Sequence, residues 1–239
     1  MAVWAGAQNA LAGGGSFVTL PALMFSGLDA RAANIASTLA LFPGQVTTGW
    51  FGRSMVSGAE GLRFRTLVLL SLAGGAVGAG VLLVTPPTMF ARMVPWLVLF
   101  ATALFAWGSF APRREDARPR VGPRAAAAIQ FGIAVYGGYF GGGIGFLMLA
   151  ALTAAGLAVR AAGATKNVLA AVMNAAAVAV FLFTPHIPWG RVAIVAAGAV
   201  VGGWLGALAL KKVDERFIRG FVVLLGLALT VGLFMRAGR

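Results

Sequence analysis

The sequence predicts an all-α integral membrane protein of two homologous repeats, inverted relative to each other. Each repeat holds one glycine-broken, re-entrant helix and three transmembrane helices. Three observations predict this. The composition is too apolar for water, one motif occurs twice, and a glycine run interrupts the first apolar segment of each copy.

Of 239 residues, 60% are hydrophobic and 10% charged, and the mean hydropathy is +0.90. A soluble domain carries about 25% charged residues. Apolar stretches of about 20 residues, the length that crosses roughly 30 Å of hydrocarbon, recur along the chain. The net charge of +13 would suggest nucleic acid in a soluble protein. In a membrane protein it marks cytoplasmic loops, and no nucleic-acid motif accompanies it. The chain has no cysteine, which excludes disulfides, thiol catalysis and thiolate metal sites. Its one histidine, His186 in the turn "TPHIPWGR", excludes a histidine metal cluster. No metal or cofactor is expected.

Eight apolar segments run roughly over 1–26, 31–51, 64–84, 93–110, 125–156, 161–183, 191–210 and 217–235. The first lacks a basic leader and a small-residue cleavage site, so it reads as part of the fold. The one long polar stretch, residues 111–124, holds five arginines. It reads as a basic cytoplasmic loop between a repeat over 1–110 and a repeat over 125–239. Residues 13–39, "GGGSFVTLPALMFSGLDARAANIASTL", resemble residues 141–168, "GGGIGFLMLAALTAAGLAVRAAGATKNV". Phe17 falls on Phe146, Gly27-Leu28 on Gly156-Leu157, and Arg31 on Arg160. Ser37-Thr38 fall on Lys166-Asn167, and Gln45 falls on Asn174. "GGAVG" at 74–78 matches "GGWLG" at 202–206. Such a duplication, of about 115 residues, marks secondary transporters.

Glycine inside a helix costs about 1 kcal/mol relative to alanine, so Gly13-Gly14-Gly15 and Gly141-Gly142-Gly143 with Gly145 should unwind their helices. Unwound backbone is tolerated at membrane depth only inside protein or beside a water-filled cavity. The spaced pairs Gly74/Gly78 and Gly202/Gly206 suit close helix packing instead. Residues 125–156 would make a helix of about 48 Å, too long for one crossing, and a hairpin turning at the glycines fits better. Loop charge agrees. With eight simple crossings, Lys and Arg divide 11 to 7 between the two sides, with Lys166 left embedded; with segments one and five re-entrant, they divide 13 to 5. The second arrangement follows the positive-inside rule and leaves three crossings per repeat. An odd number inverts the copies.

At these residues the chain resembles the TauE/SafE family of sulfite and organosulfonate exporters. The shared pattern is a glycine-rich break, an apolar half-helix, a Gly-Leu-x-x-Arg/Lys-Ala turn and a polar stretch, all appearing twice. The resemblance covers essentially the whole chain. It implies a multi-pass transporter of the bacterial-type inner membrane that exports a small anion, sulfite or a sulfonate.

Helix geometry points to an anion separately. If the hairpins turn at the glycines, the second half-helices begin near Ser16 and Ile144, with their N-termini at the bilayer midplane. Those ends carry free N–H groups and partial positive charge, and glycine lets a ligand approach the backbone. Asn34, Thr38 and Gln45 lie within about 40° on one helical face, and Asn167 and Asn174 repeat the last two. Lys166, equivalent to Ser37 and next to Thr165, is the basic residue set more than one turn inside an apolar segment. An embedded charge is a functional candidate. Lys166 either neutralises a bound anion or reaches the headgroups as a snorkelling lysine. Gln8 and Asn9 either line the cavity or bond to the freed backbone. Tyr136 and Tyr139 suit packing with a bonded hydroxyl, and Trp50, Trp96 and Trp189 suit interface anchors. All six acids lie in loops or at segment ends, which disfavours a transported cation or a carboxylate proton relay. There is no Walker motif and no catalytic triad, so no enzyme is expected. The expected partners are the small anion and the lipid bilayer, and homo-oligomerisation is left open. A passive anion channel and a membrane protein that binds without transport are the competing readings.

Overall fold

The computed structural model describes residues 2–6, 15–59, 61–110, 121–209 and 215–237. After a helical stretch at residues 2–6, the helices are α1 (Ser16–Phe25), α2 (Ala30–Gly52), α3 (Phe64–Val84), α4 (Pro87–Phe110), α5 (Pro123–Tyr139), α6 (Ile144–Ala154), α7 (Val159–Phe181), α8 (Trp189–Ala209) and α9 (Glu215–Ala237). Among the described residues there is no strand, only one isolated bridge between Ala59 and Leu62. The all-α expectation holds. Segment four starts earlier than hydropathy suggests, because Pro87 opens α4 at a position where its missing N–H costs nothing.

Phe64–Val84, Pro87–Trp107 and Val159–Phe181 are long and apolar enough to cross a membrane. Large apolar side chains point outward from the bundle, among them Leu69, Val84, Ile194 and Leu224. Such a surface suits hydrocarbon as its solvent. Trp50, Trp96 and Trp189 are also exposed.

Two turns organise the chain alike. Asp29 caps α2, its Oδ1 accepting the N–H groups of Arg31 and Ala32 at 3.0 Å each. Before it, α1 ends in a glycine turn: Gly27 N–H bonds to Met24 O at 3.1 Å and Leu28 N–H to Leu23 O at 3.3 Å. α6 ends the same way, with Gly156 N–H on Thr153 O and Leu157 N–H on Leu152 O, both at 3.0 Å. These are paired Schellman closures. Gly27 and Gly156 both have φ of 92°. A Cβ added at Gly27 would meet nothing within 4 Å, so Gly27→Ala isolates the backbone cost. It should destabilise by about 1–2 kcal/mol, read as a thermal midpoint lowered by about 2–8 °C in detergent. An unchanged midpoint would show that this turn does not hold the left-handed geometry.

Small residues set the helix spacing. Gly74 and Gly78 press α3 on α5, where a Cβ on Gly74 would stand 2.6 Å from Ala134 Cβ and one on Gly78 would overlap the Val135 carbonyl. Gly75 faces the Met173 backbone of α7, and Gly138 faces Gly75 itself. Gly198 and Gly202 of α8 likewise meet Ala2 and Val3, while the surroundings of Gly206, expected to pair with Gly202, lie outside the described residues. The buried side chains form two clusters, one around Phe17, Phe90, Phe105 and Phe181 and the other around Leu67, Met148, Leu169 and Met173. Phe140 belongs to the first and Ile144 to the second, so the break between α5 and α6 is anchored on both sides.

Candidate functional site

The residues from Phe140 to Gly143 are not helical. Gly141 and Gly143 have φ of 80° and 75°, the left-handed region that a β-carbon disfavours. Gly143 also packs closely, since a Cβ there would stand 3.1 Å from Ala101 Cβ on α4. A broken helix leaves carbonyls free on one side and N–H groups free on the other. Asn34 Nδ2 donates to Tyr139 O at 3.0 Å, satisfying one of the last carbonyls of α5. On the other side, the first turn of α6 opens onto a cavity.

That cavity measures about 90 Å³ and opens between α2, α7, Ser16 and the break. From α2 come Ser37, Thr38, Leu41, Gln45 and Thr48, and from α7 come Lys166, Asn167, Ala170 and Asn174. Gly141, Gly143, Gly145 and the flanking Phe140, Ile144 and Phe146 complete the wall. Lys166 is half-buried. Among the described residues it has neither an ion pair nor a hydrogen bond. A Cβ on Gly145 would stand 3.6 Å from Lys166 Nζ, so the ammonium lies against the first turn of α6. Two electropositive groups, a helix N-terminus and an ammonium, therefore meet at one wall.

α2 and α7 cross beside the cavity. Asn174 Nδ2 donates to Gln45 Oε1 at 2.6 Å. One turn further along α2, Gly49 packs on Asn167, Val168 and Ala171, the preceding turns of α7. The two helices thus run antiparallel, and positions 45 and 174, aligned in sequence, touch. A double-mutant cycle of Gln45→Leu and Asn174→Leu should give a coupling of about 0.6–1.5 kcal/mol in thermal stability. Strictly additive losses would mean that the amides do not bond.

Other polar residues singled out in the sequence lie elsewhere. Asn34 is buried on the Tyr139 carbonyl, away from the cavity wall. Thr165 is buried and holds the loop before α3, its Oγ1 accepting Ser57 N–H at 3.1 Å and donating to Ser57 O at 3.3 Å. Gly142 lies under the Phe140 ring. Gly15 precedes α1, and its carbonyl accepts the Val18 and Thr19 N–H groups at 3.1 Å each. Gly13, Gly14, Gln8 and Asn9 lie outside the described residues. Tyr139 Oη reaches Met93 Sδ at 3.5 Å, whereas the buried Tyr136 hydroxyl has no partner among the described residues. Thr48 was legible in sequence, since it continues the Thr38–Gln45 face by one turn. Leu41, Phe140, Ile144, Phe146 and Ala170 carried no such signal.

A family model described as "Sulfite exporter TauE/SafE" matches residues 1–233. The chain belongs to the TauE/SafE family. Among curated proteins, it is 28% identical over 232 residues to a probable membrane transporter protein of Haemophilus influenzae, covering 93% of this chain and 87% of that one. It is 29% identical over 233 residues to the probable membrane transporter protein ORF9 of a Sinorhizobium species, covering 96% and 88%. The probable membrane transporter YfcA of Escherichia coli is 24% identical over 238 residues, covering 98% and 87%. No solved structure gives a significant match. This TauE/SafE protein is thus a membrane protein of a transporter family.

Proposed function

We propose that the protein is a secondary transporter that exports a small anion, sulfite or an organosulfonate, by alternating access across the bacterial-type inner membrane. The anion sits in the cavity between the first turn of α6 and Lys166, and the Asn167 amide offers it a donor; the Ser37 hydroxyl is engaged with Thr19, and that of Thr38 donates to Asn34 O at 3.0 Å. The single observation that carries this reading is the half-buried Lys166 ammonium, without an acid among the described residues, at the wall of a cavity beside a helix N-terminus. An embedded charge of this kind calls for a counter-ion, and a substrate can supply it.

Alternating access follows from two inverted repeats, over 1–110 and 125–239, rocking about a fixed site. The antiparallel contact of positions Gln45 and Asn174 supports the inversion, and the paired Schellman turns support the duplication. In this reading α5–α6 and the first segment with α1 are re-entrant, and three helices per repeat cross the bilayer.

The test has two steps. A thermal-shift screen of the purified protein against sulfite, sulfate, thiosulfate, sulfonates and small carboxylates finds the ligand, because one that prefers the native state raises its apparent stability. Uptake of that labelled anion into proteoliposomes is then followed under an imposed gradient. Accumulation above the outside concentration is expected. Mere equilibration would make the protein a channel, and binding without flux would make it a receptor for its ligand.

A further inference from the structure

We propose that the anion travels with a proton, and that Lys166 carries it; this rests on the transporter reading above. A carrier must also reorient empty. With the anion bound, Lys166 and its ligand form a neutral pair. After a monoanion leaves, an ammonium would remain alone at the cavity wall, within the membrane, where an uncompensated charge is costly. Among the described residues, nothing else on the wall can take the anion's place. The remaining polar residues there are hydroxyls and amides, neutral at every physiological pH.

Among the described residues, the neighbouring elements offer no counter-charge. α7 packs against α2, α3, α5, α6 and the short turn Arg53–Met55. Arg31 of α2 donates to the Leu83 and Thr85 carbonyls, and Asp29 caps α2. Arg53 lies over the Trp50 ring. Arg63, Arg65, Arg124 and Arg160 are exposed. Tyr136 packs on Phe100 and Tyr139 on Phe90, and α6 has no ionisable side chain. None of these residues borders the cavity. Residues 7–14, beside Gly15, carry no ionisable side chain in sequence. Glu60, Glu115, Asp116 and Asp214 lie outside the described residues, and Glu215 starts α9.

The step balances as follows. The loaded form, an ammonium paired with the anion, releases the anion and one proton to the same side and leaves a neutral amine. Loading on the other side takes up one proton and one anion. Both forms that reorient are neutral, so a monoanion moves without net charge.

Methanesulfonate is a suitable probe, because it is fully ionised near neutral pH and brings no proton of its own. In proteoliposomes holding a trapped pH dye, with voltage clamped by potassium and valinomycin, its uptake should acidify the lumen by one proton per anion. Its rate should not change with the clamped voltage. Lys166→Arg cannot give up its proton, so its empty form is trapped. Net uptake should fall by about tenfold or more, with a much smaller loss in exchange of inside for outside anion. Uptake that is voltage-driven with no proton movement would overturn the proposal and leave the transporter reading intact. No methanesulfonate flux, with the thermal-shift ligand also unmoved, would overturn both. If Lys166→Arg does not fold, the proton count of the unmodified protein decides alone.

Discussion

Lys166→Ala should weaken anion binding by about 10- to 100-fold, the loss expected when one charge-assisted hydrogen bond worth about 1.5–3 kcal/mol is removed. The ammonium stands against the first turn of α6, with Gly145 leaving it room. Removing it leaves, among the described residues, uncharged polar groups and a helix terminus to meet a full negative charge. The fold should tolerate the change, because the side chain has no hydrogen bond or ion pair among the described residues to lose. Anion-dependent stabilisation of the purified variant, titrated against the unmodified protein, separates these effects. A thermal midpoint without ligand that is equal to or higher than that of the unmodified protein, together with a lost ligand response, is the expected result. An unchanged ligand response would remove Lys166 from the site.

Gly78→Ala should be among the most damaging single methyl additions in the bundle. The new Cβ would overlap the Val135 carbonyl and stand 2.8 Å from Tyr139 N. Both are backbone atoms, so no side-chain rotation relieves the contact, and α3 and α5 must separate by roughly an ångström. Overpacking of this kind costs about 1–3 kcal/mol, and a chain of this size should lose about 2–12 °C of thermal midpoint. Function should fall further than stability. Val135 and Tyr139 belong to the last turns of α5, which set where the break at Phe140–Gly143 begins. Gly80→Ala is the control: two residues on, in the same helix, a Cβ meets nothing within 4 Å. That variant should match or exceed the parent in stability. Equal behaviour of the two would mean that the α3–α5 contact is looser than described.

Much of this arrangement could be read from residue type alone. Consecutive glycines disfavour a helix through their backbone entropy, so the break before Ile144 followed from local chemistry, whereas Gly13 and Gly14 of the first run lie outside the described residues. The stripe of Thr38 and Gln45, with its counterparts Asn167 and Asn174, followed from helical periodicity. Asn34 and Thr165 show where such reasoning stops. Both were polar residues near the stripe, and both satisfy backbone groups far away in sequence, at separations of 105 and 108 residues. Whether a buried amide or hydroxyl meets a ligand or a freed carbonyl depends on those distant partners. The apolar wall was hidden for a related reason, since Phe140 and Phe146 look like any other membrane residue until the break turns them inward.

The most direct measurement is anomalous diffraction from crystals grown with 2-bromoethanesulfonate, whose bromine marks the anion's position. The account predicts one bromine peak in the cavity between α2 and α7, with the sulfonate oxygens within hydrogen-bonding distance of Lys166 Nζ and the first amides of α6. A well-ordered anion bound elsewhere, with this cavity empty and Lys166 unengaged, would contradict it.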